Sequence, residues 1–241
     1  MSDTWNPIRL ALDLVLPRPC PGCGGPEPWC AGCAAGLAAR PRLIKLPEAT
    51  LDAAADRPLP TVRAIARYAG PVRAAILAGK ERGRTDLPPL LGDSVGTALL
   101  RLRRIALVPD RLWIVPAPSR RAAARRRGGD PVTVMARSAA GRLASHGLFA
   151  GVAPCLYTAG RARDSVGLDV AARAANLAGR IRFRRGSTPP AGARVVLLDD
   201  VVTSGSTSLA AVRTLAEQGI EVAAILAVAT AAPWRSELND R

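Results

Sequence analysis

Residues 195–207 constrain the fold of this chain more than any other stretch, because they join a strand, two acids and a loop that begins a helix. Residues 195–198 are all apolar, as expected for a strand that is buried on both faces of a parallel sheet. Asp199 and Asp200 follow directly. A stripe of leucine and valine then predicts a helix over residues 208–218. The stretch therefore predicts a strand–loop–helix unit of an α/β fold.

The loop of this unit consists of small residues, most of them carrying hydroxyl groups: Thr203, Ser204, Gly205, Ser206 and Thr207. Ligands of open α/β sheets bind beyond the carboxyl ends of the strands, and the N–H groups at the start of a helix bind phosphate. Gly205 allows the backbone to approach an anion, while Asp199 and Asp200 can accept hydrogen bonds from sugar hydroxyls or face a hydrated Mg²⁺. The stretch therefore predicts a ribose 5-phosphate site; the alternative is a strand–turn–helix whose acids only cap the helix.

These thirteen residues resemble the fingerprint of type I phosphoribosyltransferases. That fingerprint has four apolar residues, two acids, two apolar residues and a phosphate loop rich in threonine and glycine. The resemblance implies that residues 199–207 bind 5-phosphoribosyl-1-pyrophosphate (PRPP) together with Mg²⁺. It also implies catalytic roles for Asp199 and Asp200.

Four of the five cysteines form two C-x-x-C pairs with six residues between them: Cys20, Cys23, Cys30 and Cys33. In a reducing compartment this spacing indicates a tetrahedral zinc site. Because four thiolates leave no open coordination position, the predicted zinc is structural. The alternatives are redox-active dithiols or unpaired thiols. Cys155 stands apart and is predicted to be a small core residue.

The net charge of +15 favours binding of a polyanion such as a nucleic acid. Nearly all basic residues are arginine, so a compositional bias combined with a phosphorylated substrate is the alternative. No apolar run reaches the roughly 18 residues that span a bilayer. The amphipathic pattern at residues 4–16 does not have the form of a signal peptide, and a cytoplasmic location is expected.

The chain is expected to form two units. Residues 1–50 hold an amphipathic helix and the small zinc-ribbon-like module, and residues 60–235 form the larger domain. A proline-rich connector over residues 41–60 leads from one to the other. Apolar patterns predict strands over residues 62–68, 112–115, 152–157 and 222–229, and helices over residues 70–78, 87–105 and 131–145. Strands that alternate with helices predict an α/β fold with a mainly parallel sheet flanked by helices.

The turn after the predicted strand at residues 112–115 carries candidate pyrophosphate contacts at Ala117, Ser119 and Arg120. An arginine-rich loop that includes Arg127 comes next. Its guanidinium groups can neutralise a pyrophosphate leaving group, or they can follow a DNA backbone. The alternatives are an ordinary strand exit and a solvated surface loop.

Five features occur in an order that resembles the ComF/GntX family of phosphoribosyltransferase-like proteins: the cysteine module, a strand with Lys80 after it, the turn that follows residues 112–115, the basic loop and the fingerprint. The resemblance implies that Cys20, Cys23, Cys30 and Cys33 bind zinc and that residues 203–207 bind PRPP. Members of this family are linked to DNA uptake during natural transformation, which implies single-stranded DNA and a helicase-like protein as partners.

Two functions of different classes follow. The first is a phosphoribosyltransferase that transfers a phosphoribosyl group to a nitrogenous acceptor, which no residue of the chain identifies. In that reaction Asp199 and Asp200 hold the ribose, and Arg120 and Arg127 neutralise the leaving group. The second is a non-catalytic accessory protein of DNA uptake or processing that binds single-stranded DNA.

Overall fold

The computed structural model describes residues 18–37, 40–52, 60–109, 111–118, 129–159 and 180–235. The strands among them are β1 Arg42–Leu43, β2 Thr61–Arg67, β3 Leu112–Pro116, β4 Ala150–Val152, β5 Leu156–Thr158, β6 Ile181–Phe183, β7 Val195–Val202 and β8 Val222–Thr230. The α-helices are α1 Ala31–Ala34, α2 Glu48–Asp52, α3 Gly70–Glu81, α4 Leu87–Arg104, α5 Pro131–Ala144 and α6 Ser206–Ala216. Short 3₁₀ turns lie at Ala35–Leu37 and Arg185–Ser187.

Within the described ranges, the main sheet has six strands in the order β1-β2-β8-β7-β3-β4. Only β1 runs antiparallel to its neighbour in this sheet, and β5 and β6 form a separate antiparallel pair. β7 is a central strand, with β8 on one side and β3 on the other. The mainly parallel sheet flanked by helices that the sequence predicts is confirmed.

Each face of the sheet is covered by its own apolar core. On one face, Val196 and Leu198 of β7 join a cluster that includes the buried residues of α3, α4 and α5. On the other face, Val195 and Leu197 join a cluster that includes buried residues of α6 and of the β5–β6 pair. This alternation along β7 follows from the two-residue period of a strand. It sends consecutive side chains at the carboxyl end of β7 toward opposite faces.

α3 differs from its prediction at its C-terminal end. The sequence predicts a helix that ends at Ala78 before Gly79, whereas α3 continues through Gly79 to Glu81. Gly79 lies against the first turn of α4, where a Cβ atom would stand 3.4 Å from the ring of Pro88. The glycine therefore serves close packing of two helices, and Lys80 lies in the last turn of α3.

The predicted strand over residues 152–157 is wrong, because it consists of two strands in different sheets. β4 ends at Val152, and the Ala153 N–H still donates to the Ile114 carbonyl at 2.9 Å. The chain then turns, and β5 begins at Leu156 and pairs with β6. The turn falls at Pro154, which interrupts the otherwise apolar run that predicts one strand.

The proline-rich connector contains two short elements that the sequence does not predict. β1 extends the sheet by pairing with β2, and α2 follows it after four residues. No helix among the described residues combines the length and apolarity needed to cross a membrane. The predicted amphipathic helix at residues 4–16 lies outside the described residues.

Candidate functional site

The two acids of the fingerprint lie within β7, near its carboxyl end, because the strand extends to Val202 and not only to Leu198. Asp199 is 9% exposed and Asp200 is 3% exposed. Asp199 lines a depression of about 30 Å³ together with residues 201–208 of the following loop and helix. Asp200 does not line that depression and pairs instead with Lys80 of α3. The acids therefore face different surroundings, although they are neighbours in sequence.

Gly205 ends the loop at the N-cap position of α6, with φ 80° and ψ 0°. This left-handed conformation favours glycine, because other residues meet a steric cost there. A Cβ atom at this position would also stand 2.9 Å from Leu46 Cδ2. The loop is therefore fixed both by its own backbone and by a side chain from the connector.

The hydroxyl groups of the loop form a small network. The Oγ atoms of Ser204 and Ser206 lie 2.9 Å apart, and the buried Thr50 Oγ1 donates to the Ser204 carbonyl at 2.8 Å. Ser208 lines the depression with a buried hydroxyl that has no hydrogen-bond partner among the described residues. With the N–H groups at the start of α6, these groups can donate hydrogen bonds to an anion.

Lys80 is a component of the site that the sequence motifs do not assign. Its Nζ atom lies 2.5 Å from Asp200 Oδ2, with 35% of the lysine side chain exposed. Desolvation works to lower the pKa of Lys80, but the negative charges of Asp200 and Asp199 outweigh it and raise the pKa. Lys80 is therefore cationic at neutral pH and compensates the buried charge of Asp200.

Asp199 has the most strongly perturbed acid–base equilibrium of the pair. Burial, followed by repulsion from Asp200, raises the pKa of Asp199 to about 8, although Lys80 acts in the opposite direction. The Asp200 N–H donates to Asp199 Oδ1 at 2.8 Å, which favours the ionised form. A ligand that brings a cation or hydroxyl donors to Asp199 favours its ionised form as well.

Of the predicted pyrophosphate contacts, only Ala117 lies among the described residues. It is buried at the exit of β3, and its N–H donates to the Leu198 carbonyl at 2.7 Å. This bond joins the turn after β3 directly to the strand that carries the acids. Ser119, Arg120 and Arg127 lie outside the described residues.

The four cysteines of the N-terminal module form a cluster that can hold a metal ion. Their Sγ atoms all lie within 4.8 Å of one another, and those of Cys23 and Cys30 are 3.6 Å apart. Tetrahedral zinc with Zn–S bonds of about 2.3 Å places its sulfurs about 3.8 Å apart, so the cluster has the right size. The cysteines predicted from the sequence as metal ligands are thus brought together, while Cys155 is buried in the core as predicted.

The protonation of the cluster agrees with this assignment. Desolvation disfavours the Cys20 thiolate, but backbone hydrogen bonds from Cys30, Cys23 and Gly22 outweigh it and lower the pKa of Cys20 to about 6. Desolvation and the neighbouring thiols raise the pKa of Cys33 to about 12. One thiolate thus forms readily, and a bound cation supplies the charge that the remaining thiols need to ionise.

The module is attached to α3 and to the start of α4 by Arg84. Its guanidinium donates to the Pro19 carbonyl at 2.8 Å and to the Pro28 carbonyl at 3.0 Å, and it pairs with Asp86 at 2.7 Å. At the other end of α3, a Cβ atom on Gly22 would stand 2.7 Å from Pro71 Cβ. The cysteine module therefore packs against the helix that carries Lys80.

Comparison with known families finds one similarity, in the C-terminal part of the chain. Residues 131–240 match the model of the phosphoribosyl transferase domain family. This segment is therefore similar to phosphoribosyl transferase domains, and the mostly parallel sheet flanked by helices agrees with a phosphoribosyltransferase-like fold, with a four-cysteine cluster near the N-terminus. No curated protein matches the chain.

The matched segment includes β7, the loop and α6 but not the other residues that complete the site. Lys80, Leu46, Thr50 and the four cysteines all precede residue 131. Leu46 and Thr50 could not be predicted as parts of the site, because the connector has neither periodicity nor a motif. Lys80 is one of the features that carry the ComF/GntX resemblance, but the sequence assigns it no role, because its contact with Asp200 joins residues 120 positions apart.

Proposed function

We propose that this protein binds PRPP, or the related ribose 5-phosphate, as a phosphoribosyltransferase-like protein of the ComF/GntX type. One observation carries the proposal: two buried carboxylates lie near the carboxyl end of a central parallel strand, beside a glycine-containing loop that begins a helix. The 5-phosphate binds at Thr203, Ser204, Gly205, Ser206 and Thr207. Asp199 and Asp200 accept hydrogen bonds from the ribose hydroxyls.

The same acids can also hold hydrated Mg²⁺, since carboxylate oxygens are its preferred protein ligands. When bound, the ion supplies positive charge beside the pyrophosphate of PRPP. Ala117, Ser119 and Arg120 follow β3, the strand next to β7, and we assign the pyrophosphate to this turn. In the N-terminal module, Cys20, Cys23, Cys30 and Cys33 hold a structural zinc ion.

In the enzymatic form of the proposal, the bond between ribose C1 and pyrophosphate breaks and a bond from C1 to an acceptor nitrogen forms. Positive charge develops on the ribose during this exchange, and the ionised acids at the end of β7 stabilise it. Arg120 and Arg127 neutralise the negative charge that the pyrophosphate carries away. The displaced proton of the acceptor nitrogen leaves to solvent. The acceptor itself is not part of the proposal.

Titration calorimetry with PRPP and Mg²⁺ tests the binding proposal, and single-stranded DNA is the comparison ligand. We expect saturable binding of PRPP that weakens when Asp200 is replaced by Asn. Removal of the charge of one charge-assisted hydrogen bond corresponds to a loss of about 1.5–3 kcal/mol. Absence of any heat or thermal shift at millimolar PRPP contradicts the proposal.

A second function, binding of single-stranded nucleic acid as an accessory of DNA uptake with a helicase-like partner, has its own supporting observation. A pocket of about 400 Å³ is lined by Trp113 and Phe149, whose ring centroids are 5.9 Å apart, together with Arg111 and Arg194. Phe149 is 46% exposed, and Arg111 lies 4.9 Å from the centre of its ring. Aromatic rings flanked by arginines are typical of surfaces that stack on bases and contact phosphates.

A further inference from the structure

We propose that Lys80 binds the second anionic group of the ligand, the pyrophosphate of PRPP, and thereby makes the site prefer PRPP to ribose 5-phosphate. This proposal rests on the proposed function and adds a specificity residue to it. Lys80 lies outside the segment that matches the phosphoribosyl transferase domain. It also lies outside the turn and the basic loop from which the sequence predicts pyrophosphate contacts.

Lys80 and the loop at residues 203–207 approach the end of β7 from opposite faces of the sheet. α3 packs with its buried residues in the core on one face of the sheet, and α6 packs in the core on the other face. Lys80 therefore approaches the end of β7 from the face opposite to the start of α6. Between them lie Asp199, which faces the loop, and Asp200, which contacts Lys80.

The chemical groups along this end of the sheet follow an order that matches PRPP. It runs from hydroxyl and N–H donors at residues 203–208, through two carboxylates, to one ammonium group. PRPP has the complementary order, with a phosphate at C5, hydroxyls at C2 and C3, and a pyrophosphate at C1. Ribose 5-phosphate has the first two groups and lacks the third. A ligand that extends past the acids toward α3 thus needs a negative charge at its far end.

The ammonium group of Lys80 is accessible to a ligand. Of the Lys80 side chain 35% is exposed, although Asp200, its ion-pair partner, is almost fully buried. An ammonium group carries three N–H donors, so a lysine that is oriented by a carboxylate can also donate to a phosphate oxygen. The ion pair with Asp200 orients Lys80 at the edge of the site and keeps it there before the ligand binds.

The test measures binding of PRPP and of ribose 5-phosphate, each with Mg²⁺, by calorimetry on the full chain with the variants Lys80→Gln and Lys80→Arg. We expect Lys80→Gln to weaken PRPP binding by about tenfold or more, the effect of one charged hydrogen bond, and ribose 5-phosphate binding by less than about threefold. Lys80→Arg should keep most of the preference for PRPP. Lys45→Gln, which changes the other lysine of the chain on an exposed position, should leave both affinities unchanged.

An equal loss of affinity for both ligands in Lys80→Gln overturns the proposal, because Lys80 then acts only by neutralising Asp200. Failure of the wild-type protein to bind either ligand contradicts the proposed function itself and is a separate result.

Lys80→Gln leaves a buried carboxylate without its cation, which is a costly change. If that variant does not fold, the double variant Lys80→Gln with Asp200→Asn removes the charge as well. The preference for PRPP must then be smaller in the double variant than in Asp200→Asn alone; an unchanged preference overturns the proposal.

Discussion

Asp199 is the residue whose properties depend most on its surroundings. Its pKa rises from 3.8 to about 8 through burial and the charge of Asp200, so the folded protein binds one more proton than the unfolded chain between these pH values. The stability that this protonation contributes is fully present below about pH 4 and is lost as the pH rises toward 8.

We therefore expect Asp199→Asn, which has no charge to bury, to change the pH dependence of stability. The melting temperature of the variant minus that of the wild type should be larger at pH 8 than at pH 5. Thermal melts at pH 5, 6.5 and 8 without ligand measure it. Two parallel pH profiles would show that the site does not hold Asp199 in its protonated form.

Gly205 permits a second residue-scale prediction. Gly205→Val introduces a β-branched side chain at φ 80°, where it is strained, and directs a Cβ atom to within 2.9 Å of Leu46 Cδ2. We expect loss of PRPP-dependent thermal stabilisation, because a bound ligand raises the midpoint only if the native loop can bind it.

The matched control is Gly186→Val, at an exposed glycine where a Cβ atom meets nothing within 4 Å and φ is not positive. That variant should keep the full PRPP-dependent shift. A Gly205→Val protein that retains the shift would mean that the phosphate binds away from this loop.

Single helices and strands differ in how far the sequence determined them. α5 was predicted within one residue, because Asp130 followed by proline is a typical helix start; in the structure the Val132 N–H donates to Asp130 Oδ1 and caps the helix. The C-terminal end of α3 was missed, because the effect of Gly79 is decided by contact with Pro88 and not by local propensity. β1 and α2 were missed for a different reason: they have two and five residues, which is too few for a pattern to be detected.

The candidate site shows the same division. Asp199, Asp200 and the loop could be predicted, because their chemistry is contiguous in the sequence. Lys80 and Thr50 could not, because they reach the loop and the acids only through tertiary packing. The cysteines are intermediate: their spacing predicted the cluster, but the attachment of the module to α3 through Arg84 required the structure.

The zinc module permits a prediction at the scale of one structural unit. Elemental analysis of the purified protein should find about one zinc ion per chain. Cys23→Ser should lose it, since Cys23 supplies one of the four thiolates of the cluster. We expect the module to unfold while the sheet of the larger domain stays cooperative, since Cys23 itself is exposed and not part of the core. A Cys155→Ser variant, which changes the one cysteine outside the cluster, should retain zinc.

Zinc-free wild-type protein would contradict the metal assignment. Loss of the whole fold in Cys23→Ser would show instead that the larger domain depends on the module. That dependence has a structural route, because the module, Arg84 and α3 are in direct contact.

At the scale of the whole molecule, the chain offers two sources of affinity for nucleic acid: its net charge of +15 and its exposed aromatic rings. The two sources respond differently to salt. Contacts of arginine with phosphates release counterions, so each one steepens the salt dependence of binding, by about 0.7 in the logarithmic slope for single strands. Stacking of bases on aromatic rings contributes about 1–3 kcal/mol per base and does not release counterions.

The final prediction separates these sources in titrations of a single-stranded oligonucleotide at several salt concentrations. Replacing Arg125, Arg126 and Arg127 of the arginine-rich loop by Ala should flatten the slope. Phe149→Ala should weaken binding at every salt concentration with the slope unchanged, since it removes an exposed ring beside Trp113 and no charge. Leu90→Ala, which trims another exposed apolar side chain, is the matched control and should have no effect.

If Phe149→Ala binds as tightly as the wild type, the pocket of Trp113 and Phe149 takes no part in binding. If the triple variant keeps the wild-type slope, the phosphate contacts lie elsewhere on the surface.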